Sequence, residues 1–582
     1  MNHERLNQIA GELSLQKSQI EAVVSLLNQD ATVPFIARYR KEATGSLDEV
    51  AITAIRDRWG QLQDLDQRKE SILNSLENRG HLDAELKRRV LAAKSMAILE
   101  DIYLPYRPKR RTRATIAREK GLEPLAQLLF EQTGIDPALV AGGFVDPQKG
   151  VETAADALAG ARDIMAEMIN EDPQVRARLR DLFWAKGLIQ SRVGTGQEEA
   201  GANYKSYFAW QEPLATAPSH RILAMRRGEK EDILNLSIAP PEEEGLKILE
   251  ERFVAGDGED SRQVQLAAQD SYRRLLFRSM ETEIRLIAKE RADAEAIKVF
   301  AENLRELLLA PPLGAKRVMG IDPGYRTGCK LVCLSRQGRR LHHETIYPHT
   351  SEAKSSEAAR KIQELVDRFE IEAIAVGNGT AGRETEDFIK GLKLGREIPV
   401  ILVNESGASV YSASQVAREE FPDLDLTVRG AISIGRRLMD PLSELVKIDP
   451  KSIGVGQYQH DVDQTALKQA LDDVVISCVN RVGVDLNQAS CQLLTYVSGI
   501  GPQLAKNIVA YRDQNGPFKT REALHQVPRL GPKAFEQAAG FLRIRAGENP
   551  LDASAVHPES YHIADAMARD LNCTVENLMS AP

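Results

Sequence analysis

Residues 317–335 read RVMGIDPGYRTGCKLVCLS. A short apolar run carries Asp322, breaks at Pro323-Gly324, and resumes as apolar residues from Cys329. Two such runs about a Pro-Gly turn predict a hairpin of short strands. ETIYPH (344–349) predicts another strand and residues 353–370 a helix. IEAIAVGN (371–378) reads as a buried strand, residues 382–394 as a helix, and IPVILVNE (398–405) as a further strand. Strands alternating with helices after an initial meander predict an α/β domain with a mixed sheet, placed at 313–450.

Working outward, residues 1–190 read as a helical region. Ile20, Val23, Val24 and Leu27 stand at i, i+3, i+4 and i+7, the spacing of one buried helix face. Ser46-Leu47-Asp48-Glu49 has the form of a capping box, with Ser46 as N-cap and Glu49 reaching back. Before it, VPFIARYRKEATGSLDE (33–49) reads as a turn-rich basic link, and the helices around it resemble a helix-turn-helix. Residues 191–312 read as a connector and a scaffold helix. Gly and Pro punctuate 187–245, whereas Ser261 to Ala310 contains neither. That predicts one long helix or two in tandem, spanning ~75 Å as a single rod. Pro311-Pro312 stops it.

Beyond 450 the chain reads as helical again, with two related phrases in 451–545. VSGIGPQLAKNIVAYR (497–512) and VPRLGPKAFEQAAGFL (527–542) each carry an apolar-Gly-Pro turn entering a helix. Gly501 and Gly531 lie 30 residues apart, so one small helical unit is duplicated. Each phrase looks like a helix-hairpin-helix, whose glycines let the backbone approach a phosphate and whose turn amides point at the anion. The expected nucleic-acid contacts are Gly499, Ile500 and Gly501 with Lys506, and Leu530 and Gly531 with Lys533. The second copy departs at Arg529, read as filling the place of the glycine-flanking Ile500. Phosphate contacts carry no sequence information, so binding is expected to be non-specific. Residues 546–582 read as a truncated helical segment.

Composition narrows the functions. Hydrophobic residues make up 42% and charged residues 27% of 582 residues, ordinary globular material for several domains. No apolar stretch approaches the ~20 residues of a membrane helix. Five scattered cysteines lack metal-ligand spacing and point to the cytoplasm. A net charge of −8 excludes a polybasic coat, so nucleic-acid contacts must be local. One basic stretch stands out. PYRPKRRTRATIAR (105–118) holds Arg107, Lys109, Arg110, Arg111, Arg113 and Arg118 without an acid, and its prolines predict an extended, exposed segment.

Several long phrases carry a resemblance. VPFIARYRKEATGSLDE, YLPYRPKRRTRATIAREKGLEPLA, GIDPGYRTGCKLV, AVGNGTAGRET, VNESGASVYSAS, ISIGRRLMDPLSELVKIDPKSIGVGQYQHDV and VPRLGPKAFEQAAGFLRI, in that order, resemble the Tex family of bacterial transcription accessory proteins. The resemblance implies a multi-domain, mainly α protein with one α/β RNase H-like (YqgF-like) domain and tandem helix-hairpin-helix units. It implies kinship to a eukaryotic elongation factor that contacts RNA polymerase and histones. Family members also carry a C-terminal oligonucleotide-binding barrel. This sequence closes at ENLMSAP with no five-stranded barrel after the hairpins, which is expected to leave RNA binding below full strength.

In an RNase H-like layout Asp322 takes the place of the first-strand metal ligand of a nuclease. Two-metal hydrolysis needs several converging carboxylates. Asp322, Glu405 in VNESGAS and Asp440 in RRLMDP are the candidates, with Glu444 one turn beyond Asp440. The later strand end offers Asn378, which adds no charge. Arg436 and Arg437 are expected to pair with Asp440, and Pro441 makes Asp440 an N-cap. Asp322 before Pro-Gly is equally a turn former. The three acids are therefore read as vestigial, the protein as no enzyme, and no metal or cofactor is expected. GNGTAG lacks the Lys of a phosphate-binding loop. His342 and His343 on one strand face opposite ways, and His349 completes no cluster with them. Ser406 and Ser409 have no nearby His.

The reading is a cytoplasmic transcription accessory factor that holds RNA or DNA through phosphates, with RNA polymerase as a further candidate partner and no membrane contact. Its rivals are a Mg²⁺- or Mn²⁺-dependent structure-selective nuclease using Asp322, Glu405 and Asp440, and a protein-interaction scaffold on RNA polymerase.

Overall fold

The computed structural model describes residues 3–580 apart from 109 and 110. The chain forms two compact units, one of residues 59–296 and one joining residues 1–58 to 297–582. Among the described residues no helix is long and apolar enough to cross a membrane.

Unit 59–296 is mainly helical and holds a three-stranded antiparallel sheet in the order β2-β1-β3, with β1 Leu188–Val193, β2 Ala209–Pro213 and β3 Leu234–Ala239. These strands lie in the stretch read as a connector. Their short alternation, with Ile189 and Ile238 buried opposite each other, was masked by flanking Gly and Pro. The Gly- and Pro-free segment is one helical run with an interruption. Glu259–Asp270 leads into a π turn at Ser271–Leu276, then into Phe277–Leu308. At the π turn the buried Ser271 hydroxyl donates to Ala166 O at 2.8 Å, and the Tyr272 ring lies against Gly245 where a Cβ would sit.

In the other unit, Lys17–Leu27 buries Ile20, Val23 and Val24 as its periodicity predicts. The link after it is helical, not turn-rich. Val33–Tyr39 starts with Pro34 in its first turn and buries Phe35, Ile36 and Ala37, and Lys41–Thr44 follows. The capping box is not formed. Ser46 has φ +62°, and Asp48 caps instead, accepting from Ala51 N at 2.8 Å at the head of Glu49–Asn78. The helix-turn-helix-like element packs against residues from the far end of the chain. Tyr39 donates to Gly540 O at 2.6 Å and lies 5.0 Å from the Phe541 ring, and Thr32 N donates to Gln537 Oε1 at 3.2 Å.

The α/β domain has five strands in the order β6-β5-β4-β7-β8: β4 Val318–Asp322, β5 Cys329–Leu334, β6 Arg340–Ile346, β7 Ala373–Gly377 and β8 Val400–Val403. The first three are antiparallel, and β4, β7 and β8 run parallel. β6 begins earlier than ETIYPH because its polar RLHH start still pairs with β5. Met319 and Ile321 of β4 pack with Ile362, Leu365 and Val366 of the Glu352–Arg368 helix, while Val318 packs on the other face with the Leu426–Met439 helix. A central strand buried on both faces reads as a continuous apolar run, which is what 318–321 is. Gly320 lets that second helix come close: a Cβ there would lie 2.5 Å from Ala431 O.

Candidate nucleic-acid interface

The two hairpin turns are built alike. Ile500 N donates to Val497 O at 2.9 Å, and Leu530 N to Val527 O at 3.2 Å. Both apolar residues are buried and pin their turns to the core. The next residues, Gly501 and Gly531, are extended N-caps of Pro502–Asn515 and Pro532–Ala539, with Pro at the first helical position. Their carbonyls accept from Ala505 N and Phe535 N, each at 3.0 Å. The first-turn amides before those donors are thereby left pointing outward, at the positive end of the helix dipole. A Cβ at Gly501 or Gly531 would meet nothing within 4 Å, so both turns open directly on solvent.

Gly499 does a different job. With φ +75° and a would-be Cβ 2.8 Å from Gln537 Cβ, it lets the first turn seat against the second helix. Its counterpart is Arg529, at φ +69°. The duplication therefore aligns Arg529 with Gly499, not with Ile500, and sets an exposed guanidinium beside the second turn. Asn507 Nδ2 ties the hairpins together by donating to Pro528 O at 2.8 Å. Lys506 is exposed on the first helix. Lys533 forms an ion pair with Asp30 at 2.9 Å, in which both side chains are largely exposed. Such a pair is worth ~1 kcal/mol or less and yields readily to a phosphate.

The basic stretch 105–118 is less free than its sequence implies. Arg107 pairs with Glu100, Arg111 with Glu119 at 2.7 Å, and Arg118 with Glu167 at 2.6 Å. Thr112 caps a helix, Arg113–Glu119, by accepting from Thr115 N at 3.0 Å, so the extended form stops there. A threonine N-cap after the prolines overrides them. Arg113 is exposed and makes no ion pair with another described residue. Lys109 and Arg110 lie outside the described residues.

The carboxylates separate. Asp322 ends β4 and Glu405 follows β8. Burial above all, then the Glu405 charge, pushes Asp322 up to about 6, while Lys330 opposes the shift. Glu405 lies over the turn after β7, where a Cβ on Gly379 would overlap its carboxylate, and its Oε2 is buried without a partner. Asp440 is elsewhere in role. It caps Pro441–Leu445, accepting from Ser443 N at 3.0 Å and Ser443 Oγ at 2.7 Å. The helix position that does face Asp322 is Gly430, whose Cβ would lie 3.0 Å from Oδ2. Glu444 is buried and paired with Lys447 at 2.8 Å. The structure thus brings Asp322 and Glu405 together, with Gly430 facing Asp322, while Asp440 is engaged as an N-cap. Among the described residues no three His, Cys, Asp or Glu side chains converge to hold a metal.

The arginines beside Asp440 do not pair with it either. Arg436 pairs with Glu420 at 2.5 Å, and Arg437 gives Nη1 to Asn404 O and Ser406 O at 2.9 and 2.7 Å. The histidines diverge: His342 stacks on Phe369, His343 meets Arg340, and His349 Nε2 lies 2.9 Å from Thr385 Oγ1. Gly430 went unread in the sequence. Its signal is its place on Leu426–Met439, five residues before the Gly435 that also crosses β4.

Five family models match the chain in order. They are a Tex-like protein N-terminal domain over residues 3–77, a Tex central region-like model over 132–300 and a Tex protein YqgF-like domain over 316–439. A helix-hairpin-helix motif covers 479–543 and an HHH domain 549–582. "Protein tex" of Bordetella pertussis is 47% identical over 598 residues, covering 100% of this chain and 76% of its own. "Transcriptional accessory protein Tex" of Neisseria gonorrhoeae is 45% identical over 590 residues, covering 100% and 77%. The human "S1 RNA-binding domain-containing protein 1" is 33% identical over 632 residues, covering 97% of this chain and 63% of its own.

Proposed function

The chain belongs to the Tex family, and from that premise we propose that it is a transcription accessory factor that grips RNA or DNA by its phosphates through the paired hairpin turns, without reading sequence. The observation that carries this is the open space in front of Gly501 and Gly531, at two helix N-termini tied together by Asn507. Main-chain amides at such turns take phosphate oxygens at distances that a side chain would block. Lys506, Arg529 and Lys533 flank the turns and add charge, and Arg107, Arg111 and Arg113 offer a second, weaker patch. The α/β domain serves as a docking body, with RNA polymerase as the candidate partner, and not as a nuclease. Gly430 opposite Asp322 and the capping role of Asp440 support that part.

The test is a salt titration of affinity for a single-stranded RNA and a DNA duplex. Each neutralised phosphate should add about −0.9 to the log–log slope on duplex DNA. The Gly501→Val, Gly531→Val double variant should keep its helical content, since both sites are open, and lose binding tenfold or more. Equal binding by wild type and double variant at low salt refutes the hairpin reading. Cleavage of branched or single-stranded substrates with Mg²⁺ or Mn²⁺, lost in Asp322→Asn, refutes the docking-body reading.

A further inference from the structure

β8 is the edge of the five-stranded sheet and, among the described residues, pairs only with β7. Pro399 O and Val403 O accept from Ile374 N and Asn378 N at 2.9 and 3.0 Å, so carbonyls at odd positions face β7. Alternation then turns the N–H and C=O of Leu402 away from the sheet. The strand reads VILV, without the charge, bulge or internal proline that usually guards an edge. Leu402 is 36% exposed.

Beside this edge lies a cavity of about 200 Å³. Ile401, Leu402 and Val403 line it from the strand, and Leu307, Ala310 and Pro311 from the end of the long helix and the residues after it. That is far more than the ~30 Å³ share of one water, and its lining is mostly aliphatic. Arg437 also lines it. This side chain is 4% exposed, feels the charges of Glu444 and Glu405 without a direct ion pair to either, and leaves Nε without a hydrogen-bond partner after Nη1 is spent on two carbonyls. A buried guanidinium with unspent donors is costly unless an acceptor arrives.

We propose that this groove is a docking site for an extended segment of a partner protein, which adds a strand to β8, inserts an aliphatic side chain between Leu402 and Ala310, and presents an adjacent carboxylate to Arg437. The three features answer three different parts of one ligand. The edge takes its backbone, the cavity its side chain and the guanidinium its acid. The proposal is independent of the hairpin turns, and its failure leaves phosphate binding untouched.

A phage-displayed library of random nonapeptides, panned on the full chain, tests it. The enriched peptides should carry an aliphatic residue with Asp or Glu one or two places away. A synthetic peptide of that sequence should slow hydrogen exchange at the Leu402 amide. It should bind at least tenfold more weakly to Ala310→Trp, which fills the cavity, and to Leu402→Lys, which charges an exposed edge position. Both variants should keep wild-type nucleic-acid affinity, which verifies their fold. No enrichment, or selected peptides that bind both variants as tightly as wild type, overturns the proposal. So does concentration-dependent self-association abolished by Leu402→Lys, which would assign the groove to a second copy.

Discussion

At Asp322 a single carboxyl group sits at the end of β4, largely buried and within reach of the Glu405 charge. Its titration is raised from an ordinary 3.8 to about 6 by burial and by Glu405. A carboxyl group held above its unfolded value favours folding while protonated. That contribution is complete below about pH 4 and is lost as pH rises through 6. The full difference is at most roughly 3 kcal/mol. Asp322→Asn, neutral in both states, should therefore melt at the wild-type temperature near pH 4 and several degrees higher at pH 7.5. Melting curves across that range check it, and parallel pH profiles for the two proteins would count against the buried pair. Asp322 was legible in the sequence as an acid at a strand end. Its opposite number was not, because the absence of a side chain at Gly430 carries no chemical signature until the helix is laid across the sheet.

Among elements, the Leu426–Met439 helix is placed by two glycines that cross, Gly320 and Gly435. Gly320→Ala forces a Cβ against the backbone oxygen of Ala431, which no rotamer change relieves. It should destabilise the domain by about 1–3 kcal/mol, measured as a lowered melting temperature, with helical content unchanged before the transition. At the same scale, Asp440→Ala should cost about 1 kcal/mol through the lost cap and leave nucleic-acid binding as it was. An effect of Asp440→Ala on binding would place Asp440 in a site after all. Elements with strong periodicity, such as Glu352–Arg368 with Ala358, Ile362, Leu365 and Val366 on one face, were readable directly. The sheet of β1, β2 and β3 was not, since each strand is short and borders Gly or Pro. The basic stretch misled for a related reason: Glu100 and Glu119 flank it in the sequence but fold back onto it, and Glu167 reaches Arg118 from a distant helix.

The unit that carries the hairpins is closed by contacts between the two ends of the chain. Tyr39 and Gly540 are hydrogen-bonded across 501 residues, and Arg40 pairs with both Glu536 and Glu559. Tyr39→Ala should cost about 1–3 kcal/mol from the lost hydrogen bond and ring contacts. Hydrogen exchange should quicken together in residues 17–44 and 536–557. Faster exchange in the first segment alone would mean that the two ends do not hold each other. Sequence patterns are local: Pro532–Ala539 was legible behind its Gly-Pro turn, whereas Val33–Tyr39 was read as part of a turn-rich link, and the association of the two left no local signal.

That closure bears on synthesis. Phe35 and Ile36 leave the ribosome long before the residues that shield Tyr39 exist. At ~5–20 residues per second, the wait for Gly540 is roughly 25–100 s. Through that interval the greasy flank of Val33–Tyr39 waits for the cover that Gly540 and Phe541 bring.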